Sequence, residues 1–311
     1  MSEAILLVGH GSREAAGNLE IEDFAQRWRA RQPDWPIHVC FIEFADVLPD
    51  EGLARAAQSA RRVIVVPLIL NAAGHVKMEI PQHIAQARAR YPDTEFIYTP
   101  HLSACDPILT VLKRRLRTAM HGLDMPDPTT TGVIVLGRGS SDRMANGDVA
   151  KMARWLQEES DHELVDIAFT GITYPRLERV VQRQVRLGMT QIIILPYYLF
   201  TGTLIERITR QVVHLQGQYP SIRFARGDYF GFEDEIFEIA ERRVLEARRG
   251  GRAGVMPCDG CKYREFAAEH GLGHAHASRD DDAHGHAHHE HEHHHRRERG
   301  HDHAQSIGQA S

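Results

Sequence analysis

With 311 residues, 42% of them hydrophobic and 25% charged, the chain has the composition of a soluble globular protein long enough for two domains. A formal net charge of −5 carries no basic excess of the kind nucleic-acid binding needs, and no apolar run nears the roughly 20 residues of a membrane helix. The opening "MSEAILLVGHGS" places an acidic residue before a strand-like run, which is unlike a secretory signal and points to a cytoplasmic protein.

In chain order, the first strand is expected at 4–9, "AILLVG", followed by the turn "HGS" and a helix-length segment over 14–31. Further strands are expected at 37–44, 62–70 and 95–99, with helices at about 47–60, 76–90 and 106–120. Strands that are apolar at nearly every position and separated by helices belong to a parallel sheet covered on both faces. After a linker at 121–132 the pattern returns, with strands at 132–137, 164–170, 190–199 and 222–226.

The return is a repeat. "GHGSREAAGN" at 9–18 faces "GRGSSDRMAN" at 137–146, "VPLILNAAGH" at 66–75 faces "LPYYLFTGT" at 195–203, and "RYPDTEF" at 90–96 faces "QYPSIRF" at 218–224. Three echoes in order at a spacing close to 128 residues indicate an internal duplication. The fold expected is therefore α/β, with two similar tandem domains at 1–122 and 131–249. Each is a mainly parallel four-stranded sheet flanked by helices, and the pair presents its strand ends to a shared cleft. Beyond them lie a segment at 250–269 with "CDGC" and a tail at 270–311 that holds 13 of the 21 histidines. The tail has too few large apolar residues to offset its ordering entropy, so disorder in the absence of metal is expected.

Three polar residues stand at strand ends in the first half: His10, Glu43 and His75. Neighbouring parallel strands lie about 4.8 Å apart, so side chains at their carboxyl ends converge. Two imidazoles and a carboxylate suit a divalent metal such as cobalt, iron, nickel or zinc, and the carboxylate can also act as a base. Singly, a loop histidine or a strand-end carboxylate is ordinarily a solvated surface group. The aligned residues of the second half, however, are Arg138, Gly171 and Thr203, while the glycines and serine of the turn persist. The turn is scaffold, and the ligands were kept in one half. Arg138 would then suit a carboxylate partner. A phosphate-binding reading of "GHGS" lacks both a Walker lysine and GxGxxG. Lys77 and Glu79 follow His75 at a helix start, where Glu79 reads as a charge on the helix N-terminus.

The stretches "LLVGHGSR", "FIEFA", "VVPLILNAAGHVKMEIP", "VLGRGSSD" and "LPYYLFTGTL" resemble the sirohydrochlorin chelatases of the cobalamin pathway, specifically long-form CbiX, over residues 1–250. The resemblance implies a chelatase-like fold and a class II, ATP-independent lyase that inserts Co²⁺ into sirohydrochlorin. Its partners would be the tetrapyrrole and a divalent metal, with no nucleic acid and no membrane. It puts the metal-site histidines at His10 and His75 and the catalytic carboxylate at Glu43. Since sirohydrochlorin carries many carboxylates, Arg13 and Arg138 are candidate anchors. The long form is similar in having an M-x-C-x-x-C element, here Met256 to Cys261, and a histidine-rich stretch.

The resemblance favours an iron–sulfur cluster at Cys258 and Cys261. Two thiolates are half of the usual four ligands, which leaves the chain a monomer or a cluster-bridged homodimer. A dithiol switch and a zinc site completed by tail histidines stay open beside it. Cys40 and Cys105 read as packed residues. Two alternative functions stay open as well: a siroheme ferrochelatase using Fe²⁺, and a non-enzymatic cobalt or nickel store or metallochaperone.

Overall fold

Each apolar run becomes a strand whose alternate side chains are buried on opposite faces of a sheet. In β1 (Glu3–Gly9), Ile5 and Leu7 point into one core and Leu6 and Val8 into another. With both faces dry from Ala4 to Val8, that stretch has no position left for a polar side chain, which is why it reads as a continuous apolar run. The computed structural model describes residues 2–123 and 125–250. Cys258, Cys261, the segment 251–269 and the tail 270–311 lie outside the described residues.

The first sheet has the order β2 (Ile37–Phe41), β1, β3 (Arg62–Pro67), β4 (Glu95–Tyr98), all parallel. The second repeats it with β6 (Val165–Phe169), β5 (Thr131–Gly137), β7 (Gln191–Pro196) and β8 (Arg223–Arg226). Strands β3 and β7 stop at Pro67 and Pro196, earlier than the expected 70 and 199. A proline has no N–H to continue the ladder. Strand β2 stops at Phe41, and the chain turns away at Phe44, whose φ is +56°.

Helices α2 (Pro49–Ser59) and α3 (Ile80–Arg90) cover the outer face of the first sheet, and α6 (Leu177–Arg186) and α7 (Thr203–Gln218) cover that of the second. Between the sheets lie α1 (Ala15–Arg31), α4 (Asp106–His121), α5 (Arg143–Glu158) and α8 (Asp234–Arg248), whose buried residues form one core with both inner sheet faces. Phe24 of α1 stacks on Phe237 of α8, with ring centroids 4.1 Å apart and planes within 3°. The last helix of each half packs on the other half's sheet: α4 meets β7 and β8, and α8 meets β3. No described helix is long and apolar enough to cross a membrane.

The expected helix at 76–90 has a different beginning. A π-helical turn, His75–Glu79, precedes α3, with the Ile80 N–H bonded to the His75 carbonyl five residues back. Pro81 follows directly and cannot donate the bond that would close an ordinary α-turn.

Candidate metal centre

The turn after β1 is built around close backbone approach. Gly11 has φ +89°, and a Cβ there would lie 1.7 Å from the Glu43 carbonyl oxygen. Only glycine lets the two strand ends come this near. Asn18 then ties the loop down: its Oδ1 accepts from the Ser12 N–H at 2.8 Å, and its Nδ2 donates to the carbonyls of Ser12 (3.1 Å) and Phe44 (2.7 Å). The second half repeats the device with Gly139 at φ +86° and Asn146 bonded to Ser140 at 2.9 and 2.8 Å. The shared glycine, serine and asparagine thus hold the strand ends, while the residue between the glycines is free to differ.

His10, Glu43 and His75 converge, with one ligand atom from each lying within 4.8 Å of the others. The imidazole rings of His10 and His75 stand edge to face, with centroids 4.7 Å apart and an interplanar angle of 81°. Glu43 Oε1 is 3.6 Å from His10 Nδ1.

The proton positions follow from the partners. Arg138 can only donate, and its Nη1 lies 2.9 Å from His10 Nε2, so that nitrogen is the acceptor. Nδ1 carries the hydrogen and donates to the Gly11 carbonyl at 3.2 Å. Burial, then the Arg138 charge and His75, hold His10 below the usual imidazole pKa, so the ring stays neutral in more acid solution than a free histidine would. His75 Nδ1 donates to Glu79 Oε2 at 2.5 Å, leaving Nε2 with its lone pair for a metal. The chain needs four residues, one helical turn, to bring Glu79 under His75. The sequence reading of Glu79 as a helix-terminal charge missed this role, although the i, i+4 spacing of His75 and Glu79 was its visible signal.

A cavity of about 810 Å³ opens over this cluster, walled by both halves. Arg13 and Arg138 both line it, with the Arg13 guanidinium over the Phe44 ring at 4.8 Å. Phe44 and its counterpart Ile172 both line the cavity, both are exposed, and both have positive φ, +56° and +61°. Backbone strain repeated at equivalent positions is a mark of a functional surface.

Two polar contacts across the halves hold the walls together. Lys77, in the π-turn, pairs with Asp142 at 2.6 Å with both side chains almost wholly buried, and Asp142 also caps α5 by accepting from the Met144 N–H. Glu20 of α1 accepts from the Thr201 N–H at 2.8 Å and from the Tyr229 hydroxyl at 2.5 Å. Neither link had a local signal in the sequence, because the partners are far apart along the chain.

Residues 4–119, and again 132–247, match the CbiX family. A sirohydrochlorin cobaltochelatase of Priestia megaterium is 37% identical over 273 residues, 86% of this chain and 87% of that protein. A sirohydrochlorin ferrochelatase of the same organism is 30% identical over 244 residues, 78% of this chain and 89% of that protein. Among solved structures, the sirohydrochlorin chelatase SirB from Bacillus subtilis subspecies spizizenii in complex with cobalt superposes with a TM-score of 0.68 and 27% identity, covering 82% of this chain and 98% of that one. SirB from Bacillus subtilis with Fe³⁺ gives a TM-score of 0.69 and 30% identity, covering 81% and 98%.

Proposed function

Since the chain belongs to the CbiX family, we propose that it is a sirohydrochlorin cobaltochelatase, inserting Co²⁺ into sirohydrochlorin without ATP. The observation that carries this reading is the convergence of His10, Glu43 and His75 on the wall of one large cavity. Insertion exchanges the ion's water and protein ligands for four ring nitrogens and releases two pyrrole protons. Neutral imidazoles bind a borderline ion and give it up again. Glu79 keeps the His75 proton on Nδ1, so Nε2 is the nitrogen left to bind the ion. Glu43, beside His10, accepts one of the pyrrole protons, and an imidazole vacated by the ion takes the other as the ion passes to the ring. Arg13 and Arg138 on the cavity wall suit the carboxylates at the macrocycle's edge.

Cobalt is preferred because the cobaltochelatase relative matches more of the chain, at higher identity, than the ferrochelatase of the same organism. The second of these relatives supports Fe²⁺ insertion as the alternative. A cytoplasmic location, and an iron–sulfur cluster at Cys258 and Cys261 in a monomer or bridging a dimer, belong to the proposal on the sequence alone. The test is anaerobic mixing of protein, sirohydrochlorin and either Co²⁺ or Fe²⁺, followed by absorption. The wild type should outpace the protein-free control, faster with Co²⁺, and His10→Ala should lose about 100-fold or more of that gain. Rates equal to the control with both metals would sink the proposal and favour a metal store; faster turnover with Fe²⁺ would reassign the metal.

A further inference from the structure

The second half keeps the strand-end architecture of the metal centre without its ligands, and a side cavity of about 290 Å³ lies beside that edge. It adjoins the main cavity, with which it shares Thr170, Gly171 and Arg207. Gly171 stands where the first half has Glu43. A Cβ on Gly171 would meet only the Arg138 carbonyl oxygen and Arg176 Nη1, both at 3.8 Å, so the position is open and a guanidinium faces it.

Two cations line this space. Arg176 is half-buried with its guanidinium 4.8 Å from the Tyr174 ring centre, and Arg207 is exposed. Neither has a carboxylate partner among the described residues. The acid of the side cavity, Glu178, accepts instead from Gln211 Nε2 at 2.8 Å. An open volume with two guanidinium groups and a missing carboxylate is complementary to a carboxylate brought by a ligand. Its size admits one carboxylate arm of a macrocycle and excludes the ring.

We propose that Arg176 and Arg207 form a carboxylate-anchoring pocket that takes one peripheral arm of the macrocycle and so sets the ring's orientation against the metal edge. This rests on the tetrapyrrole reading above and adds to it two positioning residues and a reason for the glycine. The first half spends its strand end on a carboxylate for the metal, and the second leaves the same position empty for a carboxylate of the substrate.

The test uses the full chain and two unrelated perturbations. Arg176→Gln with Arg207→Gln removes the cations. Gly171→Glu restores the residue type of position 43 and supplies an internal carboxylate that competes for Arg176. Metal-free sirohydrochlorin is titrated by absorption, and its carboxylate-esterified form is the control ligand. Both variants should weaken sirohydrochlorin binding about tenfold or more, with KM rising by a similar factor, while the ester binds all three proteins alike. Sirohydrochlorin affinity within twofold of wild type in both variants, or an equal loss for acid and ester, overturns the anchoring pocket. Failure of the wild type to bind sirohydrochlorin at all overturns the functional reading itself.

Discussion

A metal ion arriving at His10 Nε2 must displace the guanidinium of Arg138, which bonds that nitrogen at 2.9 Å. The second half thus lends the first a cation that holds the His10 lone pair and, on the proposed reading, is then free to meet a carboxylate. Replacing it, Arg138→Gln, should tighten Co²⁺ binding by about tenfold, because it removes a positive charge and a competing hydrogen bond, while weakening binding of the macrocycle. Cobalt titration of a chain ending at residue 250, which removes the tail histidines, checks the first half of that expectation. Unchanged cobalt affinity would contradict it. Glu79 acts in the opposite sense: Glu79→Gln removes the acceptor that fixes the His75 tautomer, and kcat/KM should fall about 10- to 100-fold with little change in unfolding temperature. The cluster of His10, Glu43 and His75 was legible as a group because the duplication supplied an internal control at positions 138, 171 and 203. Glu79 was less so, since one helix-start acid looks like another until its partner is placed.

At the scale of elements, the proposed metal edge depends on how strands and helices end. Gly11→Ala would press a methyl group into the Glu43 carbonyl and add a side chain at positive φ. We expect a loss of about 2 kcal/mol or more in urea unfolding, together with loss of metal binding. Gly171→Glu, at a position without that crowding, should fold normally. The alternation of strands and helices was readable from apolar runs and their spacing, as was the parallel pairing. The ends were not: β3 and β7 were expected to run to 70 and 199, because "LIL" and "YYL" continue the apolar run past prolines that stop the ladder. The π-turn under His75 was invisible for a related reason. Apolar periodicity cannot tell a five-residue turn from a four-residue one, and Pro81 alone marked the place.

At the scale of the whole molecule, the two halves share a single inner core, and their buried polar groups are shared as well. His101 lies buried in the first half, and its carbonyl accepts from Arg243 Nε of α8 at 3.3 Å. Burial, then the charges of Arg243 and Lys77, push its pKa down to about 3. Between an ordinary histidine value near 6.5 and about 3, the unfolded chain therefore binds a proton that the folded chain refuses. The stability that comes with a neutral His101 is complete above the unfolded value and is lost as pH falls through this window, by up to about 1.4 kcal/mol per pH unit. Urea unfolding measured from pH 7 to pH 4 should show that slope, and His101→Gln should flatten it by close to one proton. An unaltered slope in the variant would assign the acid sensitivity elsewhere. Sequence periodicity could not reveal this sharing. It says which face of α4 or α8 is apolar, but nothing about whose sheet that face covers.

The crossing of α4 and α8 onto each other's sheets bears on why both halves sit in one gene. A polypeptide ended after residue 122 would keep all three candidate ligands, lose the helix that packs on β3, and carry a helix parted from the sheet it packs on. Two identical copies could repair this by trading helices, but each would bring its own His10 to the cavity. Encoded in tandem, the partner always arrives in equal dose, already tethered, and with an arginine where the second histidine would have been.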